Sequence, residues 1–179
     1  MAVSKQWTMV AIVLAGLALG AAALTWVAPS GGVEINREAP DFRVMDLATR
    51  DTVSLEDYRG SVTLVNIWAT WCLPCREEMP SMQTLYDSLA DRGFRIAAIS
   101  IDEGSPEDVV AFAQKLGLTF DILHDRSGTI ERLYQTTGVP ESFLLDRRGI
   151  LVKRVIGAHD WSSPANRSTV ERLLAQPES

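Results

Sequence analysis

Cysteine is almost absent: the 179 residues hold two, Cys72 and Cys75, three positions apart in Trp71-Cys72-Leu73-Pro74-Cys75. No further thiol exists to build a structural disulfide or to complete a four-cysteine zinc site, so the pair serves each other or a partner. Histidine is equally scarce. His124 and His159 lie far from the cysteines in sequence, read as loop residues and complete no metal knuckle, so no metal is expected. Excess basic charge is lacking too: beyond residue 29 the chain carries 16 Lys and Arg against 23 Asp and Glu, a net of −7. With no basic stripe to offset that, nucleic acid is excluded as a partner. Internal repeats and low-complexity segments are missing, and 46% hydrophobic with 22% charged residues excludes both disorder and a multi-span membrane protein.

Charge is also missing from Trp7 to Ala28, a run of 22 residues. At about 1.5 Å per residue such a helix crosses a hydrocarbon core of about 30 Å. Trp7 and Trp26 stand near its ends, where amphipathic rings prefer the interface, and Pro29-Ser30-Gly31-Gly32 breaks it. Lys5 and the α-amino group precede the run while Glu34, Arg37 and Glu38 follow it, so the positive-inside rule leaves the N-terminus in the cytoplasm and exports the rest. A cleaved signal peptide ending near Ala21-Ala22-Ala23 is the competing reading; the apolar run is longer than a signal core and continues past that site. Either way the body lies outside the cytoplasm, and the anchor reading makes it a single-pass membrane protein.

The remaining residues, about 150, suffice for one domain with its own core. Residues 30–39 read as a linker. Alternation over Asp41–Leu47, a turn at Ala48–Asp51 and a return through Val53-Ser54-Leu55 predict an N-terminal hairpin. Val62–Trp68 is nearly continuous in apolar and β-branched residues, as a strand buried on both faces would be. Met79, Met82, Leu85, Tyr86 and Leu89 recur at helical spacing up to Asp91-Arg92-Gly93, and Phe94–Ile101 gives a second buried strand. The cysteines therefore sit at the strand-to-helix turn of a βαβ unit. Ser105 and Pro106 cap the next helix, Gly117 closes it, and Phe120–Leu123, Thr129–Tyr134, Ser142–Leu145, Leu151–Ile156 and Pro164–Ala175 follow as strand, helix, strand, strand and helix.

Thiol–disulfide exchange needs a thiolate that attacks and a second thiol that resolves the mixed disulfide. At a helix N-terminus, free backbone N–H groups and the helix dipole favour the thiolate of Cys72, the attacking sulfur. Cys75, one turn further in and shielded, is the resolving sulfur. The chemistry calls for no cofactor beyond the two sulfurs.

Asn66-Ile67-Trp68-Ala69-Thr70-Trp71-Cys72-Leu73-Pro74-Cys75-Arg76-Glu77-Glu78-Met79-Pro80 resembles the active-site segment of thioredoxin-like proteins of the TlpA/ResA and DsbE (CcmG) group. Gly138-Val139-Pro140-Glu141-Ser142-Phe143-Leu144-Leu145-Asp146 resembles that group's second signature, and the similarity runs over about residues 38–175. The resemblance implies an α/β, thioredoxin-like fold with an N-terminal β-hairpin and a central insert between about Asp102 and Tyr134. The domain plan is then 1–29 membrane anchor, 30–39 linker and 40–179 thioredoxin-like domain. It also implies a reducing role in an oxidising compartment, most often in cytochrome c maturation. The partners would be client protein disulfides, apocytochrome c among them, and a membrane electron donor of the DsbD/CcdA kind.

Two site assignments rest on the resemblance. Val139-Pro140 matches the family's cis-proline, although an ordinary X-Pro bond is trans in all but about 5–6% of cases; the Val139 backbone could then pair with an extended client segment. Glu78 matches a functional glutamate of the ResA-like proteins, three residues after Cys75 on the same helical face. Asn66 stands where cytoplasmic thioredoxins resemble one another in a buried Asp, and an amide cannot accept the resolving thiol's proton, so the work falls to Glu78, its pKa raised by partial burial. Trp68, Trp71 and Trp161 read as packing residues, Trp71 also as part of the docking surface. Pro80 reads as a kink in a continuing helix.

Other chemistries on related folds fit less well. A peroxidatic site would need a proline where Val65 stands, and a copper chaperone would need Cys-x-x-x-Cys with a distant His such as His124. An oxidase or isomerase differs only in potential, across about −270 to −120 mV. Leu73-Pro74 keeps the proline of reducing thioredoxins and lacks the histidine of oxidants, which favours reduction.

Overall fold

The computed structural model describes residues 33–177, together with Trp7, Val10, Leu14 and Gly16, which are helical and exposed. The expected membrane run of Trp7–Ala28 otherwise lies outside the described residues, among which no helix is long and apolar enough to cross a membrane.

The body from residue 32 onward is one compact unit. Among its described residues the strands are β1 (Arg43–Asp46), β2 (Thr52–Ser54), β3 (Val62–Trp68), β4 (Phe94–Ser100), β5 (Asp121–His124), β6 (Glu141–Leu145) and β7 (Leu151–Ile156). The helices are α1 (Leu73–Leu89), α2 (Pro106–Lys115), α3 (Thr129–Tyr134) and α4 (Pro164–Leu174). The strands form one sheet in the order β2-β1-β5-β4-β3-β6-β7. β3, β4 and β5 run parallel, β6 pairs antiparallel with β3 and β7 antiparallel with β6, and the β1–β2 hairpin joins antiparallel through β5. The insert expected after residue 102 thus supplies α2, β5 and α3, and β5 is the strand that seats the hairpin.

All seven residues of β3 are buried, so the apolar run of Val62–Trp68 is satisfied on both faces. Leu64 and Trp68 point into a core with Met79, Met82, Leu85 and Leu89 of α1 and with Val170, Leu173 and Leu174 of α4. Val65 and Ile67 point to the other face, into a core with Phe42, Tyr58, Tyr134 and Phe143. Alternation along the strand places Asn66 between Leu64 and Trp68 on the α1 side, so a polar side chain is forced into an apolar layer and must find partners there.

Helix α1 continues through Pro80, with Pro74 in its first turn, where a missing N–H costs nothing. Gly93 stops the unit after the short turn Ala90–Arg92: its φ of 92° is left-handed, which only glycine adopts freely. Residues 33–39, expected as linker, are instead held to the body. Val33 and Ala39 are buried. The Asn36 N–H donates to the Leu151 carbonyl at 2.8 Å and the Ala39 N–H to the Gly149 carbonyl at 2.9 Å, so the folded body starts before residue 40. The topology, with its hairpin and insert, is a thioredoxin-like α/β fold.

Candidate active site

The buried strand β3 ends at Trp68, and the chain turns through Ala69–Trp71 before α1 begins, which delivers Cys72 to the helix as its N-cap. The Cys72 Sγ accepts the Cys75 backbone N–H at 3.1 Å. Because Cys72 is the N-cap and the first turn holds no acidic residue, the positive end of α1 is directed at this sulfur. Cys72 and Cys75 are joined as a disulfide, with Cα atoms 5.3 Å apart. Cys72 is 4% exposed and Cys75 fully buried, so the expected exposed thiolate has only a narrow opening in this oxidised form. Of the two sulfurs, that of Cys72 belongs to the more accessible residue.

Glu78 lies one turn beyond Cys75 and is buried, with 3% of its surface exposed. Its Oε1 accepts an amide hydrogen from Asn66 at 2.8 Å, and its Oε2 accepts the His159 backbone N–H at 3.1 Å. Burial is the dominant influence and pushes its pKa up from 4.5 to about 7, while the donors from Asn66 and His159 pull the other way. The indole of Trp161 adds a smaller pull, although its N–H has no partner of hydrogen-bond geometry. A pocket of about 230 Å³, lined by Glu77, Glu78, Ser81, Ala158, His159 and Asp160, lies beside this residue. Neighbouring Glu77 is exposed, as a helix-surface residue would be.

Asn66 gives its second amide hydrogen to Ser142 Oγ at 2.8 Å, and its own Oδ1 is buried with no hydrogen-bond partner. The antiparallel register that sets Asn66 opposite Ser142 also sets Ile67 opposite Glu141, so Pro140 leads into β6 next to the end of β3. The Val139–Pro140 peptide is cis. Val139 packs against the core cluster that contains both cysteines, and the Pro140 carbonyl accepts the Gly157 N–H at 2.8 Å. Trp71 and Leu73, which flank Cys72, are 69% and 62% exposed, large apolar surfaces left free beside the disulfide.

The fold thus gathers Cys72, Cys75 and Glu78 on one face of α1, with Val139 and Pro140 at the start of β6 and Trp71 on the rim. Sequence reasoning missed four participants. Ser142 was recoverable from strand pairing with Asn66, whereas the His159 backbone N–H leaves no mark in a side-chain pattern. Asp102 and Ser100 hold the turn before Cys72: Asp102 Oδ2 accepts the Thr70 backbone N–H at 2.9 Å, and Ser100 Oγ donates to the same oxygen at 2.7 Å. His124, expected in a loop, ends β5 and is buried, because the insert strand carries it between β1 and β4. Among the described residues no group of three or more His, Cys, Asp or Glu could hold a metal ion.

The family model described as the AhpC/TSA family matches residues 35–154. The thiol-disulfide oxidoreductase ResA of Geobacillus thermodenitrificans is 39% identical over 126 residues, covering 70% of this chain and 71% of that protein. The thioredoxin-like protein YneN of Bacillus subtilis is 38% identical over 124 residues, covering 67% of this chain and 70% of its own. Among solved structures, a Chlorobium tepidum protein assigned as a thiol:disulfide interchange protein DsbE aligns with a TM-score of 0.68 at 30% identity, covering 80% of this chain and 96% of that one.

Proposed function

The chain belongs to the ResA-type thiol-disulfide oxidoreductases within the AhpC/TSA family, and from that premise we propose that it is an extracytoplasmic reductase of client protein disulfides. The observation that carries the exchange chemistry is Glu78: a buried carboxyl one turn from Cys75, with its pKa near 7, can take and return a proton at neutral pH, while the Leu73-Pro74 dipeptide between the cysteines favours reduction.

In the proposed cycle the Cys72 thiolate attacks one sulfur of a client disulfide. The client S–S bond breaks, a mixed disulfide forms, and the leaving client thiolate takes up a proton. Glu78 then accepts the Cys75 proton, the Cys75 thiolate attacks Cys72 Sγ, and the second client sulfur leaves as a thiolate. Two electrons have passed to the client, and the Cys72–Cys75 disulfide is the oxidised product. A membrane donor of the DsbD/CcdA kind would restore the dithiol, and apocytochrome c is the client class that the family resemblance favours. Val139, Pro140 and Trp71 would bind the extended client segment. The uncharged run of Trp7–Ala28 supports an anchor that holds the body at the outer membrane face, periplasmic in a cell with two membranes.

The AhpC/TSA match by itself would also admit a peroxidase. The peroxidase's proline position is Val65, buried in the core on the sheet face opposite α1, and the sulfur chemistry here is that of a Cys-x-x-Cys pair. The test is reduction of an oxidised Cys-x-x-Cys peptide by the reduced full chain, followed by thiol release. Stoichiometric transfer with formation of the Cys72–Cys75 disulfide supports the reading; no transfer to the peptide together with turnover of hydrogen peroxide overturns it.

A further inference from the structure

Asp102 is a buried carboxylate that the exchange cycle does not use, and the register of the sheet explains where it lies. Strands β3 and β4 pair in parallel with Val62 opposite Phe94 and Trp68 opposite Ser100. The same offset continues past both strand ends, where the Ile101 N–H donates to the Trp68 carbonyl at 2.9 Å. Two residues beyond each strand, Asp102 therefore meets Thr70.

There the carboxylate grips Thr70 with both oxygens. Oδ2 accepts the Thr70 backbone N–H at 2.9 Å, and Oδ1 accepts the Thr70 hydroxyl at 2.6 Å. Asp102 is itself fixed from behind. Ser100 Oγ donates to Oδ2 at 2.7 Å, and the Asp102 carbonyl lies 2.7 Å from His124 Nε2. A carbonyl can only accept, so His124 carries its proton on Nε2. Asp102 is 8% exposed, and a carboxylate so far removed from water is tolerated because three donors fill its acceptor sites.

What the grip fixes is the short turn that ends at the nucleophile. Trp71 follows Thr70 directly and is 69% exposed, too open for packing to hold its ring, so the direction of the indole depends on the backbone before it. Trp71 walls an open cleft of about 490 Å³ with Ile101, Asp102, Glu103, Gly104 and Glu131. The Cys72 N–H closes the same turn on the Ala69 carbonyl at 3.2 Å.

We propose that Asp102 is a positioning residue for exchange with protein clients: by clamping Thr70 it holds the exposed Trp71 in the orientation that receives a client segment. The proposal rests on the oxidoreductase reading and adds to it a residue that acts through the turn and touches neither the sulfurs nor the client disulfide. The clamp serves docking, so it matters for a peptide that must lie along the cleft and not for a small disulfide that needs only to reach Cys72.

The test uses the reduced full chain with two probes, an oxidised Cys-x-x-Cys peptide and glutathione disulfide. Asp102→Ala and Thr70→Val should each raise KM for the peptide by about tenfold, the scale on which misplacement of a binding group acts, while rates with glutathione disulfide stay within about twofold of wild type. Asp102→Asn should rescue the peptide KM, because its carbonyl can still accept the Thr70 and Ser100 donors while its amide donates to the Thr70 hydroxyl oxygen. Thr70→Val removes only the hydroxyl, so it keeps the proposal open to refutation if Asp102→Ala fails to fold. Unchanged peptide KM in Thr70→Val, or equal losses with both probes, overturns the proposal. If wild type itself reduces neither probe, the oxidoreductase reading fails instead.

Discussion

Asn66 and Glu78, one on the central strand and the other on the helix that follows it, meet in a 2.8 Å hydrogen bond inside the core, with the amide donating to the carboxyl. The bond favours the ionised form of Glu78 against the larger effect of burial, so the two together set its pKa near 7. Asn66→Ala removes the donor and leaves burial less opposed. The pKa of Glu78 should then rise further, and the pH at which peptide reduction reaches half its maximum should move up with it. An unchanged pH profile would mean that the bond does not tune the carboxyl.

Glu78→Gln removes the titration while keeping the size of the side chain. Peptide reduction by the reduced protein should slow by about 10²-fold, within the range general acid–base catalysis supplies, while Glu77→Gln, on the exposed face, stays near wild type. Equal rates for the two variants would make Glu78 a bystander and leave the proton to water.

The same carboxyl should also leave a mark on stability. Its folded pKa lies above its unfolded value, so between about pH 4.5 and 7 the folded state binds the additional proton and stability falls as pH rises. The stabilisation is fully present below pH 4.5 and lost above about pH 7, a change of about 3 kcal/mol. Denaturant midpoints measured across this window should fall for wild type and stay flatter for Glu78→Gln. Parallel curves would contradict the assignment of the raised pKa to this group.

Cys72→Ser should abolish exchange, whereas Cys75→Ser should accumulate mixed disulfides, because attack survives and resolution does not. Trapping of client proteins by each single variant, resolved on non-reducing gels, distinguishes the two sulfurs; equal trapping by both would remove the division of roles.

A reporter active only outside the cytoplasm, fused after Ser179, should be active, and the chain should stay with membranes through a high-salt wash. Release of a shortened soluble form would favour a cleaved signal peptide over the anchor.

Much of this arrangement was legible in the sequence, and what was hidden has physical reasons. The seven residues of Val62–Trp68 announced a strand buried on both faces, and β3 has those bounds. α3 and β7 likewise span Thr129–Tyr134 and Leu151–Ile156 as their patterns indicated. The cis peptide at Pro140 came from family resemblance and not from composition, because bond geometry leaves no periodic signal. Residues 33–39 looked like linker because the backbone hydrogen bonds that tie them to Gly149 and Leu151 do not depend on side-chain type. His124 read as a loop residue and Asp102 as no more than the start of the insert, and only the pairing of β3, β4 and β5 turns them into a buried network behind the cysteines.

The central claim is that Cys72 and Cys75 work as a reductant, and their redox state in the intact cell tests it most directly. Cells quenched in acid and treated with an alkylating agent that adds mass to free thiols should yield the chain mostly with both cysteines modified, the dithiol form kept ready by a membrane donor. A chain found almost entirely as the unmodified disulfide under the same quench would contradict the account and make the pair an oxidant.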